Sequence, residues 1–318
     1  MKRLYECVLA LCVIAACSVA HAINWTTNDH PVAGPGGTYP AAISGSNVVG
    51  FYIGQSTGQR GFLYDGSTFT TIEAPAPAFN TWASGVDGDN IIGYYIVLTG
   101  PTTSVIHGFL LTGSTFMTLD CTLPGAVSTL PTSIDGGKIV GVYYDQTGYA
   151  HGFQYDGVAY SALDDPLTSG STYLLGVNGN QVVGYSDSRA FVHDGSAFQT
   201  LAPPLAHSQS TVAAGVDDGN IVGYYDTYDD DDFLSSFQRS GFIFDGSAYT
   251  TINHPLAGPQ GMTQPSDIEG NRIVGSYRDA AGNFHGFIAI VPEPGAIWLA
   301  IAAIPAICSV RSRRYAVR

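Results

Sequence analysis

The sequence repeats one pattern along most of its length, and this repetition limits the fold more than any other feature. In residues 219–252 a glycine follows two aliphatic residues, a loop comes next, and a phenylalanine then lies near the start of a second apolar run. The pattern returns roughly every 45 residues, a period typical of propeller blades. The glycine lies at Gly50, Gly93, Gly141, Gly184, Gly223 and Gly275, and the phenylalanine at Phe62, Phe109, Phe153, Phe191, Phe242 and Phe287.

Each repeat unit reads as four short strands joined by turns. The runs between the turns are rich in β-branched and aromatic residues, which favour strands. Dipeptides such as Asp87-Gly88 separate the first two strands, and dipeptides such as Asp65-Gly66 separate the last two. They tolerate positive φ, as two-residue hairpin turns require, so we expect four-stranded antiparallel meanders. Further pairs of these two kinds are Gly136-Gly137, Asn178-Gly179, Asp218-Gly219, Asp156-Gly157, Asp194-Gly195 and Asp245-Gly246.

The two ends of the repeated region complement each other. Residues 25–35 match residues 249–259, so the start of this region copies a fourth strand. The last unit stops after its third strand, at residues 284–290. A ring closed by the N-terminal strand would cover sheet edges that otherwise favour aggregation. We predict an all-β fold over residues 23–290, a six-bladed β-propeller of four-stranded antiparallel blades whose last blade is closed by the N-terminal strand. An open β-solenoid is the alternative.

Residues 1–22 have the features of a secretory signal peptide. Two basic residues supply the positive start, an apolar core too short to span a bilayer follows, and Ala20 and Ala22 fit a small-residue cleavage site. We expect an N-terminal signal helix that is removed after export. Two alternatives stay open: a buried N-terminal helix of the folded domain, and a lipoprotein signal in which Cys17 would be lipidated.

The final segment, residues 291–318, carries three features in order. Pro292, Glu293 and Pro294 precede an apolar stretch at residues 296–310, and an arginine-rich end follows. This arrangement resembles the PEP-CTERM sorting signal of Gram-negative bacteria. The resemblance implies an exosortase-type protease as partner, a hydrophobic helix that anchors the chain transiently in the inner membrane, and delivery to the cell surface or the extracellular space. A plain C-terminal membrane anchor is the alternative.

The repeat unit is similar to the HAF-type extracellular repeats of bacterial surface proteins, in segments such as residues 151–157. The resemblance implies export and a surface location, and it implies no known catalysis. Histidine occupies one repeat position at His107, His151 and His285. Three imidazoles could bind a metal, or each could bond an aspartate as part of the framework. In the other units this place is taken by Arg60, Ala190 and Ser240.

Charge and cysteine content exclude several classes of function. The formal net charge is −14, which argues against a nucleic-acid partner because phosphate contacts need a basic face. Of the five cysteines only Cys121 lies between the two terminal segments, so no internal disulfide can form there. We expect Cys121 to be a small buried residue. The sequence contains neither a P-loop nucleotide-binding motif nor a His-Glu-x-x-His metalloprotease motif.

Two features of the sequence could bind a ligand. Tyrosine pairs follow the repeat glycine, and alternation along a strand would turn one of each pair toward the core and one outward, where it could stack on a sugar. Packing of these rings in the core and at the rim is the alternative. An acidic loop supplies oxygen ligands that suit calcium, although a solvated loop is the alternative. We assign no catalytic residue and no cofactor other than this calcium. The calcium candidates are Asp226, Asp229, Asp230, Asp231 and Asp232.

These observations leave three hypotheses about function. The first, which we favour, is an exported cell-surface or extracellular-matrix protein that acts as a non-catalytic structural or interaction propeller. The second is a propeller that binds glycan or calcium, with an exopolysaccharide as partner. The third is a glycan-active enzyme with its site in the axial channel, where propellers offer a concave pocket. A channel lined only by aliphatic and small residues would discount the enzyme.

Overall fold

The large unit of the chain is built from β-strands. The chain divides into this unit, Thr26–Ile288, and a small unit formed by the two chain ends. In the ranges that the structure covers, no helix has the length and apolar character needed to cross a bilayer. The structure, a computed structural model, describes residues 23–55, 58–203, 208–228, 237–258 and 261–292.

Several sequence predictions concern residues outside those ranges. They are the signal helix, the hydrophobic C-terminal helix, the cleavage site, the lipidation site and most of the sorting motif. All of them stay predictions. The single residues concerned are Cys17, Ala20, Ala22, Glu293 and Pro294.

The described strands fall into six meanders, which we number as blades one to six. Blade one contains β2 (Ala33–Ser44), β3 (Asn47–Gly54), β4 (Gly58–Tyr64) and β5 (Phe69–Ile72), and blade two contains β6 (Ala78–Asp87), β7 (Asn90–Leu98), β8 (Ser104–Thr112) and β9 (Thr115–Thr118). Blade three contains β10 (Ala126–Asp135), β11 (Lys138–Asp145), β12 (Ala150–Tyr155) and β13 (Tyr160–Ala162), and blade four contains β14 (Thr172–Asn178), β15 (Gln181–Ser186), β16 (Arg189–His193) and β17 (Phe198–Leu201). Blade five contains β18 (Ser208–Asp217), β19 (Asn220–Thr227), β20 (Gln238–Phe244) and β21 (Tyr249–Ile252), and blade six contains β22 (Met262–Glu269), β23 (Arg272–Arg278), β24 (Phe284–Ile290) and β1 (Asn24–Thr27).

Strands within each blade are antiparallel neighbours. Blades one to four are separate four-stranded sheets, and blades five and six share one eight-stranded sheet. The two halves of that sheet meet at a single parallel pair, Arg239 of β20 and Met262 of β22. The predicted all-β propeller with four-stranded antiparallel blades is therefore confirmed.

The first strand of each blade packs against the first strands of its neighbours. These inner strands, β2, β6, β10, β14, β18 and β22, contact one another in that order, and β22 contacts β2. Each carries a bulge at the same repeat position. In blade two the bulged Ser84 donates to the carbonyl of Pro131 at 2.6 Å, and in blade three Thr132 donates to the carbonyl of Leu174 at 2.8 Å. The bulge thus directs a hydroxyl at the next blade.

The repeat glycine and the repeat phenylalanine lie opposite each other in the sheet. Gly93 pairs with Phe109, and a Cβ on Gly93 would collide with that ring and with the carbonyl of Trp82. All six repeat phenylalanines are at most 2% exposed. Glycine at this position therefore lets a buried ring approach the neighbouring strand, as close packing of the blade requires.

The turn between the first two strands lies one residue later than predicted in two blades. Asp87 still pairs with Asn90, so the tip of the hairpin is Gly88-Asp89, with Gly88 at a φ of 56°. The last residue of the inner strand thus stays paired with the second strand. Glycine adopts the positive φ of the turn more easily than aspartate does, so the turn begins at the glycine. The same shift gives Gly179-Asn180, whereas Gly136-Gly137 and Asp218-Gly219 lie at the tips as predicted.

The prediction of two-residue turns between the third and fourth strands is wrong in four blades. In blade one Tyr64 pairs with Phe69, which leaves a loop of four residues between them. Asp65 begins this loop and accepts hydrogen bonds from the amides of Ser67 and Thr68, each at 2.8 Å. The aspartate therefore closes an Asx turn instead of occupying a hairpin tip. Its equivalents are Asp156, Asp194 and Asp245.

The N-terminal strand occupies the fourth place of blade six, beside β24. Within the large unit, the amide of Asn28 donates to the carbonyl of Gly286 at 2.8 Å, and Asp29 accepts from the amide of Gly286 at 2.9 Å. Blade three makes the second bond at the same distance, from Gly152 to Asp164, within a continuous stretch of chain. The prediction that the N-terminal strand joins the last sheet is confirmed.

Candidate functional site

A cavity of about 130 Å³ lies where the inner strands reach their turns. Aliphatic and small polar residues line part of it, and carboxylates line the rest. This is not the purely aliphatic lining that would discount an enzyme, so the bonding of each carboxylate matters. The carboxylates belong to Asp87, Asp135, Asp217, Asp267 and Glu269.

Three of these carboxylates bond the turn of the next blade. Each accepts a hydrogen bond from a backbone amide at the tip of the neighbouring hairpin, and a charged acceptor makes such bonds stronger than neutral ones. We call Asp135, Asp217 and Glu269 the clasp carboxylates. Their bonds run from Gly179 to Asp135 at 2.6 Å, from Gly270 to Asp217 at 2.6 Å, and from Gly45 to Glu269 at 2.9 Å.

Asp267 lies deeper between the blades than the clasp carboxylates. Its Oδ2 accepts a hydrogen bond from the amide of Ile43 in blade one at 3.0 Å. Burial raises the pKa of Asp267 to about 7, the amides of Ile43 and Ile268 act against this, and the charges of Asp217 and Glu269 add to it. The side chain keeps some exposure toward the cavity. Such a carboxyl can hold a proton at neutral pH.

Aromatic side chains occupy the inner and second strands farther from the turns. Trp82 stacks on Tyr94 with 4.9 Å between ring centroids, and Tyr173 stacks on Tyr185 at 4.6 Å. Burial raises the pKa of Tyr94 to about 12, and Tyr144 adds to the effect. All five side chains are half-buried. Their rings therefore pack on one another and leave little of each face open for stacking on a ligand.

The other members of the tyrosine pairs pack inside their blades. Tyr95 stacks on His107 at 5.4 Å, and Tyr143 stacks on His151 at 5.0 Å. Tyr225 is only 6% exposed. These three tyrosines therefore act as packing residues, in agreement with the alternative of packing in the core and at the rim.

The repeat histidines belong to the framework. Each bonds an aspartate that follows the fourth strand of its own blade, which confirms the structural interpretation of these residues. No group of three His, Cys, Asp or Glu side chains in the described ranges is placed to hold a metal ion. One sequence assignment is wrong: the equivalent in blade four is Arg189, since Ala190 takes the place of the glycine that precedes the repeat phenylalanine, such as Gly108 in blade two. The Nδ1 to carboxylate distances are 2.8 Å for His107 and Asp120, 2.9 Å for His151 and Asp164, and 2.7 Å for His285 and Asp29.

Asp226, the first of the calcium candidates, lies in strand β19 and not in a loop, and it is engaged in an ion pair. Asp226 accepts two hydrogen bonds from Arg239, at 2.7 and 2.8 Å. The guanidinium of Arg239 also lies 4.3 Å from the ring centroid of Tyr224 and donates to Gln264 of blade six at 2.9 Å. Asp226 therefore helps to join blades five and six. Calcium binding stays a prediction for the other candidates, which lie outside the described residues: Asp229, Asp230, Asp231 and Asp232.

Two single residues can be compared with their predictions. Cys121 is buried and has no disulfide, as expected, and its amide donates to the hydroxyl of Thr129 at 2.8 Å. Burial raises the pKa of the Cys121 thiol, which makes it a poor nucleophile. Pro292, the first residue of the sorting motif, is the last residue described and lies outside any strand.

A second cavity, of about 450 Å³, lies between blades three and four, and we call it the polar cleft. Sequence analysis missed it, although a signal was present. Gln154 and His193 occupy repeat positions that are apolar or aromatic in other blades. The register places Leu63, Leu110, Val192 and Ile243 at the first position, and Tyr64, Leu111, Tyr155 and Phe244 at the second. The cleft is lined by Lys138, Gln154, Asn180, His193, Asp194, Gly195 and Ser196.

Comparison with known proteins identifies the fold. No protein-family model matches the sequence, and no curated protein matches it. A protein of unknown function from Dyadobacter fermentans matches with 10% identity and a TM-score of 0.51, covering 85% of this chain and 99% of that chain. The fucose-specific lectin from Aleuria aurantia matches with 13% identity and a TM-score of 0.48, covering 84% and 98%. The β-propeller domain of the Trilobed protease from Pyrococcus furiosus matches with 10% identity and a TM-score of 0.45, covering 79% and 93%. At such identities the likeness concerns the β-propeller fold alone.

Proposed function

We propose that this chain is an exported bacterial protein of the cell surface or the extracellular matrix, and that it works as a non-catalytic structural or interaction propeller of six blades. The C-terminal pattern of Pro292, Glu293 and Pro294, an apolar stretch and arginines supports sorting by an exosortase-type protease. The positive end would hold the tail on the cytoplasmic side of the inner membrane until processing.

The observation that carries the non-catalytic role is the bonding of the clasp carboxylates. Asp135, Asp217 and Glu269 each hold the turn of a neighbouring blade, so the groups that could act as acid and base instead join blades. Asp267 has the raised pKa of a candidate acid. The cavity beside it is about 130 Å³, however, and ligand pockets usually measure roughly 300 Å³ or more.

Cell fractionation of the host tests this proposal. A tag inserted at Val158, which is 89% exposed in a loop, would mark the propeller without disturbing a strand. We expect the tagged chain at the surface or in the medium, with its C-terminal segment removed as judged by mass spectrometry. Glu293→Ala should leave an unprocessed chain in the inner membrane, whereas Glu73→Ala, at an exposed site in blade one, should be processed normally. A chain that stays soluble in the cytoplasm would end the proposal.

A further inference from the structure

We propose that the polar cleft between blades three and four binds an acidic saccharide. The inference rests on the proposed role of an exported interaction propeller, and it adds to that role a site and a class of ligand. Four features of the cleft carry it: a polar substitution in a seam between blades, an ammonium without an ion pair among the described residues, an imidazole that can donate through Nε2, and a volume that fits a sugar.

The seam between blades three and four departs from the apolar packing of other seams. In blade two, Leu110 packs against an apolar cluster that includes Ile134 and Ile139 of blade three. Gln154 takes the corresponding place one blade later, where the amide borders the cleft. An amide in a seam loses the apolar contact that leucine would make, and it needs polar partners in return. A ligand with hydroxyl groups would supply them.

Lys138 places a positive charge in the cleft. Its ammonium donates to the carbonyl of Gly179 at 3.4 Å, and it forms no ion pair with any residue in the described ranges. Burial lowers the pKa of Lys138, while the charge of Asp135 acts against this. A partly buried ammonium that makes no direct ion pair among the described residues is stabilised by an anionic ligand.

His193 and Asp194 divide the roles of donor and acceptor. The Nδ1 atom of His193 accepts from the amide of Gly195 at 3.3 Å, so the ring proton lies on Nε2, which can donate to a ligand. Burial lowers the pKa of His193, which keeps the ring neutral. Asp194 accepts from the hydroxyl of Ser196 at 2.7 Å within its own loop, and hydrogen bonds of this loop lower the pKa of Asp194 to about 2. All three hydrogen bonds of this loop end on Oδ1 of Asp194, so Oδ2 can accept from a sugar hydroxyl.

The ligand class follows from this set of groups. An ammonium and an Nε2–H favour a carboxylate, and the amides of Gln154 and Asn180 can each donate to and accept from hydroxyl groups. A cavity of about 450 Å³ lies within the range of roughly 300–1,000 Å³ that ligand sites occupy. An inorganic anion would use the charge of Lys138 and leave both amides without partners. A sugar that carries a carboxylate, of the uronate type, satisfies all of them.

Calorimetric titration of the purified full-length chain in mild detergent tests the site. The probes are a glucuronate-containing oligosaccharide, a neutral oligosaccharide of the same length, and sodium sulfate. We expect the acidic oligosaccharide to bind tightest. Lys138→Gln should weaken it about tenfold and remove the preference over the neutral probe, and Gln154→Leu should weaken both saccharides. Gln154→Leu restores the residue type of other seams, so its fold should persist. Arg189→Gln, an exposed basic residue outside the cleft, is the matched control and should bind as wild type.

Three outcomes would overturn the proposal: no binding of the acidic oligosaccharide, wild-type affinity in both Lys138→Gln and Gln154→Leu, or sulfate binding as tight as the saccharide, which would indicate a simple anion site. Thermal melting checks that each variant retains the fold. If Gln154→Leu does not fold, the affinity of Lys138→Gln alone tests the proposal. A chain that reaches the surface but binds none of the probes refutes the ligand alone. A chain found in the cytoplasm refutes the proposed function, whatever it binds in solution.

Discussion

At the residue scale, the ionisation of Asp267 affects the contact between blades six and one. It occupies a place just after the bulge of the inner strand, where the other five blades carry alanine, glycine or serine. Its carboxyl reaches the amide of Ile43 in blade one. Because its pKa is raised from 3.8 to about 7, the folded chain binds a proton that the unfolded chain has released between those values. Stability through this group therefore falls as the pH rises from 4 to 7.

We expect Asp267→Asn to be more stable than wild type at pH 8, by about 1–2 kcal/mol in the free energy of unfolding. Asparagine keeps an oxygen that accepts from Ile43 and carries no charge to bury. The expected gain in the free energy of unfolding is smaller than the full pKa shift of Asp267 would give, because solvent screens the charge of this partly exposed side chain. Urea unfolding at pH 4.5 and pH 8 measures it, and the gain should shrink at the lower pH. If the variant were less stable than wild type at pH 8, the negative charge of Asp267 would not destabilise the folded chain, and the prediction would be wrong.

At the scale of elements, the closing strand β1 completes blade six without the chain connection that links the third and fourth strands of the other blades. Asp29 bonds the amide of Gly286 and the ring of His285, just as Asp164 bonds Gly152 and His151 in blade three. The difference is that the strand before Asp29 is joined to blade six by hydrogen bonds and packing only. Such a strand can peel away from its sheet, as chain ends do.

Asp29 and Asp164 make the same hydrogen bonds, but only the strand before Asp164 is covalently continuous with the rest of its blade. Neutralising each aspartate therefore distinguishes the effect of the hydrogen bonds from the effect of chain continuity. We expect Asp29→Asn and Asp164→Asn each to lower the free energy of unfolding by about 1 kcal/mol through weaker hydrogen bonds. Only Asp29→Asn should also speed amide hydrogen exchange along β24, since its strand opens locally without global unfolding. Exchange followed by mass spectrometry on peptides of β24 and β12 makes the comparison. Equal increases in both peptides would show that connectivity has no effect on the closing blade.

At the scale of the whole large unit, stability depends on neighbours in a ring. Every inner strand contacts two others, and the clasp carboxylates tie turn to turn, including Glu269 of blade six to Gly45 of blade one. No disulfide joins described residues, and Cys121 is a free thiol. The loss of one strand should therefore affect more than one blade, because each blade covers the apolar faces of the blades beside it.

Deletion of residues 23–29 tests the ring as a unit. We expect the deletion to lower Tm by at least about 5 °C and to cause concentration-dependent association, since the edge of β24 would be free to pair with another chain. A peptide covering residues 23–35, added in trans, should restore part of the loss. Deletion of residues 1–22 is the control and should change neither property. A monomer with unchanged melting after deletion of 23–29 would rule out the closing role.

Much of the fold could be predicted because its signals are local and repeat. The period, the glycine of strand two and the phenylalanine of strand three recur with each unit, and the match between the two ends located the closing strand. The turn details failed for an equally local reason. An aspartate such as Asp65 favours an Asx turn as readily as a hairpin tip, and only the strand register decides between them.

By itself, the sequence determined the number and kind of repeat units, the strand that completes the last sheet, and the buried state of Cys121, since each depends on patterns within one unit. Tertiary structure alone decided which groups meet across seams. Glu269 bonds Gly45, and Gln154 and His193 line the same polar cleft, because bulges and blade packing bring together residues far apart in sequence. Hydrogen bonds and cavities between blades depend on the distances between side chains of neighbouring blades. No sequence pattern within a single repeat unit encodes those distances.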